Sequence, residues 1–128
     1  MRALGLSFVL LAGCVPADTA PEGRAIFESY CVSCHGPEGQ GDGPLSDQLP
    51  FAPVDLTLLQ ATNGGVFPTE EVMIQIFGYP GRFHQGLMPE FGPLLDGPQV
   101  DWVGPEGRVT QTPQALLDVV DYLRSVQQ

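Results

Sequence analysis

The chain has 128 residues, with fifteen Asp and Glu against five Arg and no Lys, giving a formal net charge of −10. So acidic a chain is turned away from nucleic acid and anionic lipid headgroups, and its field suits basic protein partners as well as it suits simple solubility. The length leaves room for one domain, and thirteen prolines with sixteen glycines predict short elements, long turns and a thin core.

At the start, Met1-Arg2 is a short basic segment and Leu4 to Leu11 a mostly apolar one. That stretch is too short to span a bilayer and fits the apolar region of a signal peptide. Leu11-Ala12-Gly13-Cys14 resembles the lipobox of bacterial lipoproteins. The resemblance implies a leader over 1–13, acylation of Cys14, a tether over 14–20 and a domain over 21–128, lipid-anchored on the periplasmic side of a bacterial membrane. The plainer alternative is a secretory signal cut after Ala17 or Ala20. More than one acyl chain is needed for stable anchoring, which a lipoprotein cysteine supplies.

Asp18 and Thr19 then offer helix caps, with Pro21 in the first turn and Glu22 three residues after Thr19. The predicted helix runs from Ala20 to Cys31, with Ile26, Phe27 and Tyr30 on one face and Arg24 and Glu28 turned to water. At its end stands Cys31-Val32-Ser33-Cys34-His35. C-x-x-C-H is the attachment pattern of a c-type haem: two thiols three positions apart add to the two vinyl groups of one porphyrin, and the adjacent imidazole faces the iron. A redox dithiol would need a βαβ setting, and a zinc site two more soft or imidazole ligands. Only Cys14 and His84 remain for that purpose, and Cys14 belongs to the leader junction.

Gly36 to Pro44 reads as a tight loop. In the following segment Asp55 caps a short helix that Asn63-Gly64-Gly65 ends. Pro68 and Thr69 open the next helix, whose apolar face is Val72, Met73, Ile76 and Phe77, and Gly78 stops it. The stretch from Gly78 to Pro98 is loop-like and carries Arg82, His84 and Met88-Pro89-Glu90-Phe91; a loop so long in a small domain is usually functional. Gln99 to Gln111 reads as a small hairpin turning at Gly104-Pro105-Glu106-Gly107. Thr112 is expected to cap a final helix with Pro113 in its first position, and Leu116, Val119, Val120 and Leu123 form its stripe, ending near Val126.

Together these residues resemble the class I cytochromes c. The resemblance implies an all-α fold of a few short helices around one covalent haem c, here with a small β-hairpin before the last helix. It pairs Gly23 and Phe27 in the first helix with Val119 and Tyr122 in the last. It makes Gly43-Pro44 the carbonyl acceptor for the proximal imidazole, so that Pro44 supports His35 as an Nε2 ligand. It makes Met88, followed by Pro89, the distal ligand. His84 on the same loop is the competitor, because bis-histidine haems exist, whereas Met73 lies on a core face. A thioether raises the potential and a second imidazole lowers it.

The function implied is one-electron transfer between redox proteins, without catalysis by the chain itself. Glu90 and Asp101 are isolated carboxylates of the kind that normally face solvent. A five-coordinate haem for gas binding, peroxide reduction or sensing is the alternative, but helical-bundle proteins of that kind place C-x-x-C-H near the C-terminus. A tethered subunit of a larger oxidase or dehydrogenase would keep the chemistry and change the partner. The stretch between Pro98 and Thr112 is longer than a minimal class I member needs.

Overall fold

The computed structural model describes residues 21–79 and 86–128. The leader, Cys14 and the tether lie outside the described residues, as do Arg82 and His84. Five helices and one hairpin follow in order: α1 (Pro21–Tyr30), α2 (Val32–His35), α3 (Leu59–Thr62), α4 (Thr69–Phe77), β1 (Gln99–Val103), β2 (Val109–Pro113) and α5 (Gln114–Ser125), with single 3-10 turns at Ser46–Gln48, Leu56–Leu58 and Gly92–Leu94. The fold is mostly helical with one two-stranded antiparallel sheet. No helix among the described residues is long and apolar enough to cross a membrane.

The centre of the fold is the crossing of α1 and α5. A side chain at Gly23 would collide with the backbone carbonyl of Asp118 and come to 3.0 Å from Cβ of Tyr122. Only glycine lets the two backbones approach this closely. One turn on, the Phe27 and Tyr122 rings stack with centroids 5.2 Å apart. Leu116, Val119, Val120 and Leu123 are all buried against Phe27 and against Met73 and Ile76 of α4, as the stripe in the sequence requires. Arg24 pairs with Glu28 at 2.9 Å on the outer face of α1.

The start of α5 differs from expectation. Thr112 does not cap the helix: it lies in β2 opposite Val100, is wholly buried, and its hydroxyl donates to the carbonyl of Thr110 at 3.2 Å. Strand pairing claims this residue before the helix can, and Pro113 takes the N-cap position without a side-chain bond. The hairpin thus runs to Pro113, two residues past Gln111. Its inner face brings half-buried Trp102 onto the core, while Val103 and Val109 oppose each other on the exposed face.

Candidate functional site

Helix α1 ends by handing its hydrogen bonds to a second, tighter turn. The Cys31 N–H still donates to Phe27, after which the N–H groups of Cys34 and His35 both reach the Cys31 carbonyl, at 3.2 and 2.9 Å. Gly36, in the left-handed region at φ 79°, turns the chain away after one turn of helix. Residues three apart on such a turn share a face, so Cys31 and Cys34 are neighbours. Both are half-buried free thiols. Burial, and then the adjacent Cys34, pushes the Cys31 thiol up to about 11, which keeps it protonated at neutral pH.

His35 is buried. Burial lowers its pKa against the opposing pull of a backbone carbonyl, so the imidazole is neutral at neutral pH. That carbonyl belongs to Val54, 3.1 Å from Nδ1. A carbonyl only accepts, so Nδ1 carries the proton and the lone pair sits on Nε2. The ring therefore has the tautomer that a metal ligand needs.

Sequence reasoning assigned this acceptor to Gly43-Pro44, and the structure corrects it. Gly43 donates to the Cys34 carbonyl at 3.1 Å and Leu45 to Ser33 at 2.9 Å, which pins Gly43-Pro44 to the carbonyl end of α2 and away from the ring. The space there is tight, since a side chain on Gly43 would come within 2.6 Å of the Ser33 carbonyl. The chain returns to the imidazole only at Val54. Leu56 donates to Gly39 at 2.7 Å, and Gly41 to His35 at 2.8 Å. Asp55 Oδ1 then accepts from the Thr57 N–H at 2.9 Å and from its hydroxyl at 2.6 Å, capping the turn that follows. No side-chain motif marks a backbone acceptor, so Val54 carried no signal beyond standing before the capping aspartate.

Met88 is half-buried at the edge of the core. Its loop is drawn toward the end of α1 by Phe91, whose ring lies 6.4 Å from that of Tyr30 and whose N–H donates to the Ile76 carbonyl at 2.8 Å. Met73 is fully enclosed in the core. Among the described residues, no three His, Cys, Asp or Glu side chains come together as ligands of one ion would, so Cys31, Cys34 and His35 do not converge on a point. Each described arginine is tied to a nearby acid, Arg24 to Glu28, Arg108 to Glu106 and Arg124 to Asp121. Glu38, Asp42, Asp47 and Asp55 follow the cysteine motif with no basic residue between them.

No curated protein and no solved structure matches the chain. The family described as cytochrome C oxidase, cbb3-type, subunit III matches residues 18–104, about two thirds of the sequence and all of the geometry around His35. On that match the chain belongs to this family and contains a c-type cytochrome domain.

Proposed function

We propose that the chain is a mono-haem electron carrier in which Cys31 and Cys34 form thioether bonds to one porphyrin, His35 holds the iron through Nε2, and Met88 is the distal ligand. The observation that carries this reading is the His35 ring: buried, neutral, its Nδ1 proton given to Val54 and its lone pair on Nε2, directly beside two free thiols. Leu45, Phe51 and Val54 support the fit. They lie between the cysteine motif and the Asp55 cap and stand 42%, 79% and 62% exposed, apolar side chains of the kind a flat apolar group would cover. A haem so held supplies reversible one-electron chemistry at its iron. The protein's part is to fix the imidazole, offer a thioether and keep water from the ring. With His35 and Met88 both given to the iron no position would be left for a substrate, which is why we read a carrier and not an enzyme.

The leader over 1–13, acylation at Cys14, a tether over 14–20 and a domain over 21–128 complete the proposal, with the carrier anchored on the periplasmic side and meeting partners through basic surfaces. The family's own description is of an oxidase subunit. It favours a second reading, a tethered subunit of a larger oxidase, in which co-migration with a larger complex on a native gel replaces free diffusion.

The denatured mass of the purified protein should equal the chain plus one haem with no free thiol at Cys31 or Cys34, and acid–acetone should leave the colour on the polypeptide. Two titratable thiols would overturn the reading. Cys14→Ser should move the haem protein from the membrane to the soluble periplasmic fraction, and a wild-type protein already soluble would replace the lipoprotein with an ordinary signal.

A further inference from the structure

The segment whose carbonyl meets His35 is held from the far end of the chain. Gln127, half-buried just past α5, spends its whole side-chain amide on backbone groups: Oε1 accepts from the Gln60 N–H at 2.8 Å, and Nε2 donates to the carbonyls of Leu56 and Leu123, each at 2.7 Å. The main-chain N–H of Gln128 adds a bond to the Thr57 carbonyl at 2.9 Å. These contacts grip residues 56, 57 and 60, immediately after Val54. On its other side the same segment is held by Leu56 on Gly39 and by the Asp55 cap on Thr57.

We infer that Gln127 is a positioning residue for His35, a staple from α5 that holds the Val54 carbonyl against Nδ1. The inference rests on the proposed role of His35 as the iron ligand. A carbonyl held on Nδ1–H makes the imidazole a stronger donor through Nε2 and favours ferric iron. Releasing the staple lets the carbonyl drift, weakens that bond and shifts the balance toward ferrous iron. Fixing the acceptor from the residue just past α5 means that the hydrogen bond on His35 is not set by its own loop alone.

The test is a redox titration of the haem-loaded, full-length protein. Gln127→Met keeps the length of the side chain and removes all three bonds. It should raise the ferrous-to-ferric ratio at fixed ambient potential about threefold, which is about 28 mV for a one-electron couple, and speed solvent exchange of the His35 Nδ1 proton. Leu116→Val, which removes a buried methylene from α5 and none of the Gln127 hydrogen bonds, is the control and should lower the melting temperature while leaving both readouts alone. Gln127→Glu keeps the acceptor for Gln60 and loses the donor, so it should fall between wild type and Gln127→Met. A Gln127→Met protein with bound haem, a lowered melting temperature and a wild-type potential would overturn the staple and leave the proposed function standing. A wild-type chain with no covalent haem would remove both.

Discussion

The two sides of the site are built to different standards. Around His35 nearly every backbone group is engaged: Gly39 on Gly36, Gly41 on His35, Gly43 on Cys34, Leu45 on Ser33 and Leu56 on Gly39. Around Met88, the stretch from Gly86 to Glu90 makes no backbone bond to another described residue, and Phe91 is the first to be anchored, on Ile76. Local stability follows such anchoring. The backbone around His35 is thus a closely bonded cradle, while the stretch that carries the proposed ligand Met88 is anchored, among the described residues, from Phe91 onward.

The most drastic way to test this contrast is to remove the cradle's covalent links. Cys31→Ala with Cys34→Ala should abolish covalent haem, read as a denatured mass equal to the bare chain; haem retained by denatured protein would break the scheme. Next in size is Gly23→Val. Overpacking costs about 1–3 kcal/mol, and here the obstacle is the Asp118 backbone, which cannot swing aside, so the effect should sit at or above the top of that range. An unchanged melting temperature would mean that the helix crossing does not support the cradle. Met88→Ala should be milder for the fold: it should remove the sulfur-to-iron charge-transfer absorption of the ferric protein while costing less stability than Gly23→Val. In denaturant, the wild-type protein should lose that absorption before it loses helix signal. Coincident transitions would show that the two sides are one cooperative unit. The smallest effect concerns Thr112. As a strand residue it should accept valine and resent serine, because removing a buried methyl costs about 1 kcal/mol, whereas a helix cap would show the reverse order.

What could be read in the sequence is what short-range pattern determines. C-x-x-C-H, the α5 stripe, the Asp55 cap and the Gly78 stop each depend on residues within a turn or two of one another, and each stands where the pattern puts it; the glycine of the helix crossing, a long-range contact, comes only from the family resemblance. What was missed depends on where the chain comes back to. The resemblance points to Gly43-Pro44 as the acceptor for His35, and only the return of the chain shows that the carbonyl is that of Val54. Thr112 has the chemistry of a helix cap, and only the register against Val100 shows that a strand claims it. Gln127 carries no motif at all, because its meaning lies in the three backbone groups it meets, the farthest of them 71 positions away.

The arginine pairing has a consequence for traffic between copies. Among the described residues each arginine is cancelled by a neighbouring carboxylate, so the field they leave has one sign, in keeping with the net charge of −10. Two identical copies therefore repel each other once their surfaces come within about 8–10 Å, the screening distance at ordinary salt. Self-exchange of electrons between copies should be slow in dilute buffer and quicken as salt is added, the opposite of the trend for a basic partner. Like charge alone would then disfavour exchange between copies and reserve each encounter for a surface of the other sign.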